Sequence, residues 1–236
     1  MKIYFDGCSW TEGAELENPE EERFSRLVCQ DFDAEEKNIS CSGASNDRIV
    51  RNLLVNKNIE EYDLAVIQMT FPARTEYYSG TAYKKGVKKS GWICINPKYN
   101  FSYFLHKRKY RRIKNVDAGP AAQDHDVWEN LEEKFHFHKE FWKQYYMTVT
   151  TEKFFNTKEN IHQQTISNHC QVKGVPLILS TINAWTPLKF DLHLNTNHPN
   201  VFKKKETLPT HRYGHPTKEG HRMIADQIIE IAKGKL

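Results

Sequence analysis

The chain has 236 residues, of which 39% are hydrophobic and 27% charged, and its formal net charge is +4. These proportions are those of a soluble globular protein, and no apolar run approaches the roughly 20 residues needed to cross a bilayer, which excludes a transmembrane helix. The charge excess is too small to demand a polyanionic partner, but it is uneven: acids crowd Glu12 to Glu36 and bases crowd Lys84 to Lys114.

A strand begins almost at once with Lys2-Ile3-Tyr4-Phe5, without the basic region, long apolar core and small-residue cleavage site of a signal peptide, so a cytoplasmic location is expected. The five cysteines (Cys8, Cys29, Cys41, Cys94 and Cys170) include no C-x-x-C pair and suit a reducing compartment better than a disulfide framework. No repeat and no Gly/Ser-rich linker divides the sequence, so residues 1–236 read as a single domain carrying one insertion.

After the first strand, Asn18-Pro19-Glu20-Glu21-Glu22 has the form of a helix start, with a capping Asn, Pro in the first turn and acids near the positive end of the dipole. Phe24, Leu27, Val28 and Phe32 then share one helical face. A short strand is predicted near Lys37 to Ser40, followed by the turn Cys41-Ser42-Gly43-Ala44 and a helix opened by Ser45 or Asn46, with Ile49, Val50, Leu53 and Leu54 inward. Leu64 to Met69 and Val175 to Ser180 are continuous apolar runs of strand length, the pattern of buried parallel strands. The chain closes on a helix from about Thr217 to Lys235. This alternation predicts an α/β fold with a three-layer, flavodoxin-like open parallel sheet.

The stretch between the third and fourth strands far exceeds a crossover of a dozen or so residues plus its helix, so 77–173 reads as an insertion, expected to act as a lid or recognition element. Its first half, Tyr77 to Asn115, is rich in Tyr, Lys and Gly without clear periodicity; its second half, from Asp124, suggests two helices. His106-Lys107-Arg108-Lys109-Tyr110-Arg111-Arg112-Ile113-Lys114 is the one basic cluster suited to a polyanion such as nucleic acid, an anionic glycan or anionic lipid, and Phe101, Tyr103, Phe104 and Tyr110 interleave aromatic faces with it. A solvated loop with its aromatics turned inward explains the same residues.

Ligands of open α/β sheets bind outside the carboxyl ends of the strands. Those ends gather Ser9, Gly43, the loop Thr70 to Arg74, and Ser180 to Asn183, while the loop before the last helix brings His211 and His215. A serine, a histidine and backbone N–H donors in one crevice are the parts of an acyl-transfer site. Each has a plain alternative: Ser9 as a turn residue, Gly43 as a tight turn needing positive φ, His215 as a packing histidine beside Pro216. His221 reads as structural. The pair His136 and His138, at i and i+2, points to different faces of a helix, so no metal site is expected.

Three motifs in order carry a family resemblance: Gly7-Cys8-Ser9-Trp10-Thr11 after the first strand, Asn38-Ile-Ser-Cys-Ser-Gly43 after the second, and His215-Pro216-Thr-Lys-Glu-Gly220-His221 entering the last helix. Together they resemble the SGNH (GDSL-type) hydrolases. The pattern Gly7-Cys-Ser-Trp-Thr11, Gly43-Ala-Ser-Asn-Asp-Arg-Ile49 and a strand ending in Gln68-Met-Thr70 with Arg74-Thr-Glu76 after it looks most like the SGNH-like proteins of tailed phages, for which a host-cytoplasmic or virion-associated location is implied. The resemblance implies an ester hydrolase without cofactor or metal, with Ser9 as nucleophile, His215 as base and Gly43 in the oxyanion hole. The aromatic, polar insertion suits O-acetyl groups of a glycan as the substrate, with a lipid or a simple small-molecule ester as the alternatives.

The sequence departs from the pattern at three places. The family's Gly-x-Asn-Asp after strand three is replaced by Gln68-Met-Thr-Phe-Pro-Ala-Arg74, which leaves Asn46 or Thr70 as substitute donors beside backbone N–H groups, with Arg74 nearby. The triad acid, three residues before the histidine, is replaced by Arg212, which reduces the expectation to a Ser9–His215 dyad aided by a carbonyl or a distant acid such as Asp191. Cys8 stands where the family has Asp. These departures support a second expectation, a catalytically weakened scaffold that serves as a phage structural, glycan-binding or nucleic-acid-binding protein.

Overall fold

A computed structural model describes residues 1–84, 87–99, 113–119, 144–146, 151–183, 186, 188–194, 208–211 and 214–236, with only the backbone path described between 77 and 119. The chain runs β1 (Lys2–Asp6), α1 (Ser9–Glu12), α2 (Pro19–Glu22), α3 (Phe24–Asp31), β2 (Glu35–Asn38), α4 (Asn46–Val55), a short 3-10 turn at Ile59–Glu61, and β3 (Leu64–Met69). It continues with β4 (Thr75–Lys84), β5 (Val87–Tyr99), β6 (Ile113–Gly119), α5 (Glu152–Lys173), β7 (Leu177–Thr181), β8 (Leu192–His193) and α6 (Lys218–Lys233).

Five strands form one sheet in the order β2-β1-β3-β7-β8, with every neighbouring pair parallel. This is the doubly wound order, in which the chain reverses its direction of growth beside β1 and opens a crevice at the strand ends. Side chains alternate across the sheet with period two and so build two cores. On one face Ile3, Phe5, Leu64, Val66 and Ile178 pack with Phe24 and Val28 of α3 and Ile224 and Ile228 of α6. On the other, Tyr4, Ala65, Ile67, Met69 and Leu179 pack with Ile49 and Leu53 of α4 and Ile166 and Cys170 of α5. The three-layer expectation therefore holds. Because Ile166 and Cys170 are core residues, α5 is a covering helix of the main sheet and the crossover between β3 and β7.

Several element boundaries differ from the expectation. The helix opening at Pro19 does not continue through Phe32: Arg23 is extended (φ −66°, ψ 146°) and separates α2 from α3. The break lets Arg23 form a bidentate pair with Glu36 at 2.9 and 3.1 Å, while the Phe24 N–H donates to His221 Nδ1 at 3.1 Å. The second strand lies at Glu35–Asn38 rather than 37–40, because pairing with β1 sets its register, Lys2 opposite Glu35. The edge strand β8, two residues long, carries no apolar run and was not expected. Nor was the three-stranded antiparallel sheet β4-β5-β6 in the region without periodicity. Residues 124–143 and the cluster Lys107, Arg108, Lys109, Arg111 and Arg112 lie outside the described residues, as do His136 and His138.

Asp6, the last residue of β1, is completely buried. Its carboxylate accepts from Arg48 Nη1 at 3.1 Å, from Asn52 Nδ2 at 3.2 Å and from the Gly7 N–H at 2.8 Å. Burial raises the Asp6 carboxyl to about 7, an upward push that the Arg48 guanidinium offsets only in part. Arg48 also donates to the Ile39 carbonyl at 2.8 Å, so the ion pair ties β1, α4 and the end of β2 together beneath the crevice.

His221 confirms its structural reading: it is fully buried, stacks on Phe24 with ring centroids 5.7 Å apart, and accepts the first N–H of α3. Burial first, then the field of His211, lowers its pKa from 6.5 to about 4. The neutral ring is the form that can accept from Phe24. Because the folded-state value lies below the unfolded one, its contribution is complete above pH 6.5 and is lost as pH falls through 4. Urea midpoints should therefore drop by an equivalent of about 3 kcal/mol across that window, and His221→Asn should flatten the slope. A slope unchanged by the substitution would refute this assignment.

Candidate active site

The first loop is built around an interior amide. Gln68, fully buried near the end of β3, accepts at Oε1 from the Cys8 N–H (3.2 Å), the Cys8 thiol (3.3 Å) and the Thr11 hydroxyl (2.9 Å), and donates from Nε2 to the Met69 carbonyl (2.8 Å). Gly7 makes this approach possible, since a Cβ there would lie 2.2 Å from Thr11 Oγ1 and 2.9 Å from Gln68 Oε1. The turn thus delivers Ser9 as the first residue of α1, at the carboxyl end of β1. The thiol of Cys8 is buried and takes up the interior position beside Gln68.

The last loop is equally constrained. Thr210 and Pro216 form a β-bridge, the His211 N–H donates to the His215 carbonyl at 2.7 Å, and Gly214, at φ 86°, makes the turn between them. Gly220 lets the loop sit against α6, where a Cβ would come within 2.5 Å of the Pro209 carbonyl. Thr217 caps α6 through its hydroxyl.

These two loops meet. His215 Nε2 lies 2.9 Å from Ser9 Oγ, and His215 Nδ1 lies 2.6 Å from Glu15 Oε2. His211 has its Nε2 buried, with no hydrogen-bond partner among the described residues. Asp191 is not available to His215: one oxygen accepts from the Leu179 N–H at 2.8 Å and the other pairs with Lys235 at 2.9 Å, on the far strands of the sheet. Arg212 lies outside the described residues.

The second and third loops flank this pair. Cys41 to Ala44 is a turn closed by the Ala44 N–H on the Cys41 carbonyl at 3.0 Å, with Gly43 at φ 76°, the value that position of a type II turn requires. Ser42 hydrogen-bonds Glu12 of α1, which braces the second loop against the first. Asn46, fully buried, holds Thr70 by both backbone groups: Nδ2 donates to its carbonyl (3.0 Å) and Oδ1 accepts from its N–H (2.7 Å). Arg74 Nη1 donates to Thr70 Oγ1 (2.8 Å) and to the Ala44 carbonyl (3.2 Å), which fastens the third loop to the second. Asn46, Thr70 and Arg74 thus form one network next to the Gly43 turn.

Beyond it, Asp47 pairs with Lys158 at 2.7 Å and His162 at 2.9 Å and accepts from Thr75 and the Glu76 N–H. Burial alone would raise its carboxyl, but the His162 hydrogen bond and the Lys158 charge hold it well below the usual carboxylate range. Arg51 and Glu76 add a bidentate pair with both distances 2.9 Å, so the start of β4 is locked to α4 by charge.

Among the described residues no group of three or more His, Cys, Asp or Glu side chains is placed to hold a metal ion, and no helix is long and apolar enough to cross a membrane. Nothing in the sequence singles out Glu15. Glu15 is one of a crowd of acids, and its meeting with a residue 200 positions away exists only in the folded chain.

No protein-family model matches the chain, and no curated protein does. Among solved structures it is similar to a psychrotrophic esterase, EstA, from Pseudoalteromonas sp., at 11% identity and a TM-score of 0.48, covering 99% of this chain and 97% of that one. A two-domain esterase active on acetylated mannans aligns at 14% identity and a TM-score of 0.40, over 99% of this chain and 49% of that one. A member of the lipolytic G-D-S-L family from Veillonella parvula aligns at 11% identity and a TM-score of 0.38, over 98% of this chain and 97% of that one.

Proposed function

We propose that the chain is a serine ester hydrolase in which Ser9 is the nucleophile and His215 the general base. The observation that carries this reading is the 2.9 Å contact between Ser9 Oγ and His215 Nε2, within hydrogen-bond reach for proton transfer. Ser9 Oγ attacks the ester carbonyl while Nε2 takes its proton. The tetrahedral oxyanion collapses, the C–O bond to the alcohol breaks, and Nε2 returns the proton to the departing oxygen. Water, activated by the same imidazole, then hydrolyses the acyl-enzyme.

The backbone N–H groups of Ser9 and Gly43 are the proposed oxyanion donors. In support, neither donates to a protein acceptor among the described residues, and the Glu12–Ser42 hydrogen bond keeps the two loops in register. Asn46, Thr70 and Arg74 are proposed as the wall beside them, where Arg74 offers its remaining N–H donors to a polar substrate oxygen. The aromatic and polar composition of 77–143 supports O-acetylated glycans as the first natural substrates to assay, beside simple esters.

An alkyl fluorophosphonate should add once to the wild-type protein, at Ser9 by peptide mapping, and should not add to Ser9→Ala. p-Nitrophenyl acetate should be hydrolysed by the first protein only. Wild-type protein that neither labels nor turns over ester would overturn the proposal.

A further inference from the structure

We propose that Glu15 is the residue that positions His215, an acid supplied from the nucleophile's own loop; the inference rests on the reading of Ser9 and His215 given above. The position at which the sequence resemblance expects the acid, three residues before the histidine, holds Arg212, a cation that can accept no proton from an imidazole. Glu15 Oε2 instead stands 2.6 Å from His215 Nδ1, on the side of the ring opposite Ser9.

The backbone explains how a residue six positions after the nucleophile turns back to face it. The N–H groups of Gly13 and Ala14 both donate to the Ser9 carbonyl, at 3.1 and 2.9 Å, and close α1 after a single turn. Gly13 is left-handed at φ 87°, and Glu15 itself is left-handed at φ 71°. A non-glycine residue in that region is uncommon and carries a conformational cost, which points to a position held for what its side chain reaches. Two reversals within three residues send the Glu15 side chain towards the loop that carries His215.

A carboxylate only accepts, so Nδ1 carries the proton in this contact. Nε2 is then the unprotonated nitrogen and can accept from the Ser9 hydroxyl. During attack the proton of Ser9 moves to Nε2 and the Nδ1 proton stays in place; Glu15 stabilises the imidazolium without itself becoming protonated. Ser9 and Glu15 thus flank the imidazole from one short segment, and Gln68 and Ser42 hold that segment to β3 and to the second loop. The Glu15 and His215 side chains are 25% and 24% exposed, so removal of Glu15 opens no cavity in the core.

The test pairs kinetics with a readout that does not depend on turnover. With p-nitrophenyl acetate, Glu15→Ala should lower kcat by about 10²- to 10⁴-fold with KM within about threefold, and Glu15→Gln, which keeps an acceptor but no charge, should fall in between. In histidine-¹⁵N-labelled protein, assigned by comparison with His215→Ala, the neutral His215 ring should be the Nδ1–H tautomer in wild type and in Glu15→Gln. It should shift towards Nε2–H in Glu15→Ala. An unchanged nitrogen pattern in Glu15→Ala overturns the proposal, and so does a kcat within threefold of wild type. A tautomer that depends on Glu15 in a protein that neither labels at Ser9 nor hydrolyses ester leaves Glu15 as the group that sets His215 and removes the hydrolase reading instead.

Discussion

His215→Ala is expected to lower kcat for p-nitrophenyl acetate by roughly 10⁴- to 10⁶-fold, with KM little changed, because the hydroxyl of Ser9 is a poor nucleophile without a base to take its proton. The same loss is expected in Ser9→Ala and in the double variant, since residues that act as one unit do not contribute additively. Equal losses in the three proteins are therefore the signature of the 2.9 Å contact acting in catalysis. Losses that multiply, or fluorophosphonate labelling that persists at wild-type rate in His215→Ala, would show that Ser9 and His215 act separately. Circular dichroism and urea unfolding of each variant separate a kinetic loss from a folding one.

Asp6→Ala should have the largest effect on stability, about 3–5 kcal/mol, because it leaves the Arg48 guanidinium in the interior with its carboxylate partner gone. The side chains of this pair are 0% and 6% exposed, so water cannot replace the lost partner without an opening of the sheet edge. Asp6→Asn should cost less, since the amide oxygen still accepts while its charge is gone. Urea unfolding at pH 7 measures both, and a loss below about 1 kcal/mol in Asp6→Ala would mean that the pair adds little to the fold. Because the Gly7 N–H also rests on Asp6, the same variant should weaken fluorophosphonate labelling at Ser9 even where the protein stays folded.

Two of the readings that resisted the sequence did so for one kind of reason. Apolar strands such as Leu64–Met69 announce themselves because burial on both faces forces a continuous run. β8 has two residues and is held by its neighbour, so it leaves no pattern to read. Phe24, Leu27, Val28 and Phe32 do share a face, yet the helix breaks at Arg23, where pairing with Glu36 and the His221 acceptor outweigh continuity. A distant side chain decides that boundary, and local propensity does not contain it.

By itself the sequence determines four of the five strands of the main sheet and its layers, the loops that gather at the strand ends, and Ser9, Gly43 and His215 as the residues to examine. Periodicity and turn chemistry are local properties, and three short motifs in order suffice to bring them together. Only the tertiary structure decides what supports them. It places Glu15 rather than Asp191 against His215, commits the Asn46 amide to the Thr70 backbone, puts Gln68 beneath the serine turn, and sets Asp6 on Arg48. Each of these contacts joins residues far apart in the chain through hydrogen bonds whose direction depends on backbone angles and burial, and neither is written in residue type or spacing.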